Sequence, residues 1–189
     1  REMTKLWSEV APHRQLAPAM TAGAWAEWMG NAPGLGISSY RLARSVNGRL
    51  LGFFAVWDQR SFKQLTVVGY SRRMRLARTA FNALARIVGG ESLPRLDYQI
   101  NCVTAVNVCV PELRPDVMRA LLLAAYEELR HKRCSFLNIG LDVRDPLTSG
   151  IEGLLAQPTD VNAYVLTARR GILPELLDSR PIHYESALV

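Results

Sequence analysis

The chain has 189 residues and a mass of 21.1 kDa, with 23 Lys and Arg against 17 Asp and Glu, a formal charge of +6 at pH 7. Hydrophobic residues at 49% and charged residues at 21% are ordinary globular proportions and exclude a disordered or collagen-like chain. The length favours one domain with a core of its own, and no apolar run approaches the roughly 18–20 residues that span a bilayer.

Residues 16–35 hold Trp25, Trp28 and Met29 among alanines and end in Pro33 and Gly34, which predicts a short helix stopped by Pro and Gly. Residues 40–46 alternate and residues 49–57 return, with Asn47-Gly48 between them. That pair predicts a β-hairpin closed by a two-residue type I′ turn. The return strand is apolar on both faces, as expected of a central strand covered on both sides. Residues 65–70 fit a strand or a helix equally well. From Arg72 onward, Met74, Ala77, Phe81, Leu84 and Val88 recur at helical steps, with Arg72, Arg75, Arg78 and Arg86 on the opposite face. Gly89, Gly90 and Pro94 close this helix.

Residues 98–110 predict a long strand with Val106, Val108 and Val110 on one face and Asn107 and Cys109 on the other. Pro111 breaks it. Pro115 and Asp116 then open a helix to about Arg133, because Pro suits the first turn and Asp complements the positive end of the dipole. Val117, Leu121, Ala125 and Leu129 form its apolar stripe. Residues 135–141 predict a buried strand, parallel to the previous one across the helical crossover. After an Asp145-Pro146 turn, residues 163–168 and 182–189 predict two further strands.

Cys102, Cys109 and Cys134 make an odd count without a C-x-x-C pair, and His13 and His183 stand alone. His131 and Cys134 are close, but at a helix end, so no metal centre is expected. The cysteines read as small core residues in a reducing cytoplasm. The arginine-bearing helix reads as a solvated face; neither a nucleic-acid motif nor interleaved aromatics accompany it, and no membrane partner is expected. A chain opening on Arg1 without a basic-then-apolar leader reads as part of a longer or processed product.

The order of helix, hairpin, helical insertion, strand–helix–strand and final strand pair resembles the GNAT superfamily of acyl-CoA N-acyltransferases over roughly residues 40–189. Trp57-Asp58-Gln59 with Phe62-Lys63-Gln64, Gly140-Leu141 with Asp145-Pro146-Leu147, and residues 183–188 look like an uncharacterised bacterial branch of it. The resemblance implies an α/β fold with a central mixed sheet and helices on both faces. Its parts would be an N-terminal helical part (1–39), the hairpin (40–57), a helical insertion (58–97), the strand–helix–strand core (98–141) and a C-terminal strand pair (142–189). It also implies acetyl-CoA or another acyl-CoA as cofactor, an amine acceptor, and a second GNAT-like domain N-terminal to this one in a longer chain.

In that family the pantetheine arm pairs with the first of two splayed parallel strands, and the pyrophosphate sits at the N-terminus of the following helix. By resemblance, Asn107, Val108, Cys109 and Val110 form the pantetheine strand, and Arg114, Asp116, Val117, Met118 and Arg119 the pyrophosphate loop. The loop departs from the family's glycine pattern, because residues 111–118 contain no glycine, Pro115 lacks an N–H, and Glu112 and Asp116 are acidic. Residues 148–157 hold no Tyr to act as an acid, and Tyr164 and Tyr184 read as core. Asp58, leaving the central strand, is the candidate base, with capping of the next turn as its other reading. Two functions follow: an acyl-CoA-dependent N-acyltransferase, or a degenerate GNAT-like scaffold or interaction domain.

Overall fold

The computed structural model describes residues 1–88, 92–132, 134–162, 164 and 177–188. It is a mixed α/β structure around one four-stranded sheet. In chain order the elements are α1 (Glu2–Val10), α2 (Ala22–Asn31), β1 (Tyr40–Arg44), β2 (Leu50–Trp57), α3 (Arg72–Val88), β3 (Cys102–Cys109), α4 (Pro115–His131) and β4 (Phe136–Asn138). The strands lie in the order β1-β2-β3-β4, the first three antiparallel and the last pair parallel.

β2 is central, as its two apolar faces require. Phe53 and Ala55 pack into a cluster with Trp7, Trp25, Tyr40 and Trp57 on one side. Phe54 packs on the other with Val117, Met118 and Leu121 from α4. The expected stripe of α4 is buried throughout, at Val117, Leu121, Ala125 and Leu129. α2 begins at Thr21, whose hydroxyl accepts from the Ala24 N–H at 3.1 Å, satisfying one of the free donors of the first turn.

The hairpin turn differs from expectation. Only Gly48, at φ 79°, is left-handed, while Asn47 is not. Ser45 N–H donates to Arg49 O and Gly48 N–H to Ser45 O, both at 2.9 Å. The loop therefore has three residues, with glycine in the position that demands positive φ, and the register slips between Ala43 and Arg44.

β3 departs more informatively. Asn107 has φ 53°, and the pairing with β2 shifts there, so that Phe53 faces Cys109 while Ala55 faces Val106. One extra residue in a strand reverses the facing of everything beyond it. Val103 and Ala105 therefore share the α4 side with Val110, while Val106 and Cys109 lie on the tryptophan side. The expected common face for Val106, Val108 and Val110 is corrected accordingly.

Four further expectations change. β4 spans three residues rather than seven and is half exposed, because it forms the sheet edge. Residues 65–70 join neither helix nor strand but run beside residues 97–100, with Ile100 N–H donating to Leu65 O at 2.7 Å. Residues 182–188 form no strand: Ile182 makes a single parallel bridge to Gln15, and Ser186–Leu188 is a 3-10 turn. The strand expected at residues 163–168 lies outside the described residues apart from Tyr164, which is in no strand. Finally, α3 exposes the stripe expected to be buried; of its described side chains only Ala85 is buried.

Candidate functional site where β3 and β4 diverge

β3 and β4 pair through Cys102↔Phe136, Val103↔Leu137 and Thr104↔Asn138, and no further. β3 continues to Cys109, so the two chains separate just before the Asn107 bulge. A wedge between parallel strands is the geometry the pantetheine expectation needs. In this chain the C-terminal residues 182–188 run across it.

Glu185 is the centre of that segment. Its Oε2 accepts the Asn107 backbone N–H at 2.8 Å. On the other wall, Gly140 has no side chain because none fits: a Cβ there would lie 2.3 Å from the Tyr184 ring. The remaining void, lined by Val108, Gly140, Tyr184 and the Arg14–Asp145 pair among others, measures about 10 Å³. That volume holds one water, whereas small-molecule sites run to several hundred Å³.

A buried polar chain leads away from the wedge. Trp25 Nε1–H donates to the Tyr40 hydroxyl at 2.6 Å, and Tyr40 O–H donates to Asn107 Oδ1 at 2.8 Å. Asn107 thus ties its side chain to β1 and its backbone N–H to the C-terminal segment. Burial pushes Tyr40 up to about 12. Burial likewise pushes the Glu185 carboxyl up to about 7, against the two backbone N–H groups that favour its charged form. His183, edge-on to Trp7 at 5.3 Å, is driven down to about 4 by burial and by the positive charge of Arg14.

Arg14 and Asp145 form a buried bidentate pair beneath the segment. Asp145 also caps the 3-10 helix Pro146–Ile151, accepting from Leu147 N–H at 3.0 Å. Gln15 holds the segment's start: His183 N–H donates to Gln15 O at 2.8 Å and Gln15 N–H to Pro181 O at 2.9 Å. At its far end Gln59 Nε2 donates to Ala187 O at 3.1 Å.

The expected pyrophosphate loop is engaged in contacts of its own. Arg114 forks onto Asp116 at 2.9 and 2.7 Å, and Arg119 donates to Glu152 O at 2.7 Å. The N–H groups of Val117 and Met118 donate to Arg114 O at 3.1 and 3.2 Å, and both side chains are buried. Gly150 of the 3-10 helix sits against this helix start, where a Cβ would approach Pro115 O to 2.7 Å. Of the expected pantetheine strand, Asn107, Cys109 and Val110 are buried and Val108 is half-buried.

Asp58 is elsewhere. It follows Trp57, which pairs with Thr104, so it lies roughly 10 Å along the strand from Asn107. There it lines a separate cleft of about 230 Å³ with Arg41, Glu128 and Lys132. Arg60 forks onto it, and that pairing holds its carboxyl below the usual carboxylate range. It also accepts the Arg60 N–H, the turn-capping role. The structure therefore brings the expected cofactor strand and loop together at two ends of one α4-supported wall and leaves the expected base outside.

Sequence reasoning passed over Glu185, Tyr40, Trp25, Arg14 and Asp145. The available signal was the lone carboxylate in the otherwise uncharged residues 181–189. Among the described residues, no helix is long and apolar enough to cross a membrane, and no group of His, Cys, Asp and Glu could hold a metal ion. No protein-family model, curated protein or solved structure matches this chain.

Proposed function

We propose that this chain is a GNAT-like domain whose acyl-carrier wedge is filled by its own C-terminal segment, so that it serves as a non-catalytic scaffold or interaction domain. The observation that carries this reading is the Glu185 carboxylate on the Asn107 N–H. That donor belongs to the strand which, by resemblance, would pair with pantetheine. Three features support the same reading: Tyr184 packed on Gly140, the Arg114–Asp116 pair, and Pro115 with Gly150 crowding the helix start. Each removes space, a donor or a free cation that a thioester carrier would need.

One observation favours acyl transfer instead. Glu185, held at about 7 beside a backbone donor, has the properties of a general base working near neutral pH. In that second reading acyl-CoA displaces residues 183–188 from the wedge, and Glu185 takes the ammonium proton of an amine acceptor.

Calorimetric titration with acetyl-CoA and longer acyl-CoAs at millimolar concentration separates the two. The scaffold reading expects no heat and no thiol release with a panel of amines. Saturable heat with turnover that Glu185→Gln abolishes overturns it in favour of the transferase.

A further inference from the structure

We propose that α3 is a docking face for an anionic phospholipid bilayer. The inference stands apart from the reading of the wedge.

Charge is the first observation. Residues 59–90 contain Arg60, Lys63, Arg72, Arg73, Arg75, Arg78 and Arg86 and no Asp or Glu. The other 157 residues hold 16 basic and 17 acidic side chains. The whole positive excess of the chain therefore resides on this stretch of 32 residues, centred on α3.

The second observation is how α3 is seated. It docks by one flank onto the segment after it. Asn82 exchanges two hydrogen bonds with the Leu93 backbone, at 2.7 and 3.3 Å, and Arg78 donates to Leu93 O at 3.4 Å while lying over the Tyr70 ring. Ala85, on that same flank, is buried at 4% exposure. At 100° per residue, Leu76, Ile87, Leu84, Phe81 and Met74 span an arc of about 160° beside this flank, and Arg72, Arg75 and Arg86 cluster opposite. The apolar arc is open: Ile87 is 82% exposed, Leu76 76% and Leu84 58%. The stripe expected to meet a core meets none among the described residues.

An exposed apolar arc backed by arginines on a helix of about 25 Å matches the in-plane helix of a membrane surface. Its apolar side chains enter the acyl boundary while the arginines meet lipid phosphates. Nucleic acid would neutralise the arginines but leave Leu76 and Ile87 in water, and stacking on bases needs aromatics, of which α3 has only Phe81. A folded protein would have to bury Arg73, which lies mid-arc between Ile87 and Leu84, where interface cores exclude charge. On a bilayer its stem lies along the apolar surface and its guanidinium snorkels to the headgroups.

Sedimentation with vesicles tests this, using phosphatidylcholine alone and phosphatidylcholine with one quarter phosphatidylglycerol. The expected result is co-sedimentation with the anionic vesicles and at least about tenfold weaker binding to the neutral ones. Arg75→Gln/Arg86→Gln should weaken partitioning roughly 30-fold, and Leu76→Glu/Ile87→Glu should abolish it. All four positions are exposed, so circular dichroism should show every variant folded. A Leu76→Trp reporter should shift its emission to the blue on anionic vesicles. Absence of binding, binding untouched by Leu76→Glu/Ile87→Glu, or displacement of the protein from vesicles by a single-stranded oligonucleotide would each overturn the proposal.

Discussion

The wedge beside β3 and the helix α3 handle polar groups in opposite ways. At the wedge, Trp25, Tyr40, Asn107 and Glu185 are linked donor to acceptor in the interior, and Arg14 is matched to Asp145. Along α3, the arginines lie on an exposed helix with an exposed apolar arc beside them. The first region pairs most of its buried polar groups internally, Arg14 Nε and Ser186 Oγ excepted among the described residues, and a ligand entering it must displace something. Among the described residues the second leaves an apolar arc exposed beside Arg72, Arg75 and Arg86, so binding there displaces water and counterions rather than packed side chains. Filled geometry argues for structure; unfilled geometry argues for a partner.

The largest expected effect breaks the first region. Arg14→Met leaves Asp145 charged and buried without its partner, which should destabilise the fold by roughly 3–5 kcal/mol in urea unfolding. The exposed pair between Arg44 and Glu2 is the control, and Arg44→Met should cost less than about 1 kcal/mol.

Next comes pH. Glu185 is raised to about 7 in the folded state, so the native protein binds its proton more tightly than the unfolded chain does. Stability from this group is present below the ordinary carboxyl value and is lost as pH rises to about 7, by an amount on the order of 3 kcal/mol. His183 is lowered to about 4, so its contribution has the opposite sign, growing as pH rises from about 4 towards its ordinary value near 6.5. The two offset each other across their shared range, and above it only Glu185 acts. Glu185→Gln should therefore be more stable than the unaltered protein at pH 8, with a gap that closes by about pH 5. Thermal unfolding across that range checks the sign.

Smaller again is Gly140→Ala. Its methyl would meet the Tyr184 ring, and overpacking of this kind costs roughly 1–3 kcal/mol. If residues 182–188 close the wedge, the same variant should also raise amide exchange along them. The smallest effect sharpens the contrast: Leu76→Ala on α3 should change stability by no more than about 0.5 kcal/mol, whereas Leu121→Ala on α4 should cost roughly 2–5.

These differences track what the sequence could disclose. The hairpin strands, β3, α4 and the start of β4 were legible because their patterns are local: β2 is apolar on both faces, and α4 repeats Val117, Leu121, Ala125 and Leu129 at four-residue steps. The bulge was not, since an extra residue leaves no mark in an alternation of valines. Asn107 is a residue type that tolerates positive φ, and in retrospect that was the only hint. Closure of the wedge joins residues 78 apart, beyond any periodic signal. For α3 the residue order separates an apolar stripe from Arg72, Arg75 and Arg86, but it misplaces Arg78, which joins the docked flank, and it could not say whether anything covered the apolar stripe. The Asp58 expectation rested on its place at the strand end, and its engagement by Arg60 depends on turn geometry that residue order alone does not reveal.

The account depends most on the hydrogen bond between Asn107 and Glu185, and the Asn107 amide resonance reports it directly. In two-dimensional nitrogen–proton spectra this amide should titrate with a midpoint near pH 7, following the Glu185 carboxyl, and should stay in place when acetyl-CoA is added to millimolar concentration. An Asn107 amide that moves saturably with acetyl-CoA would contradict the closed wedge.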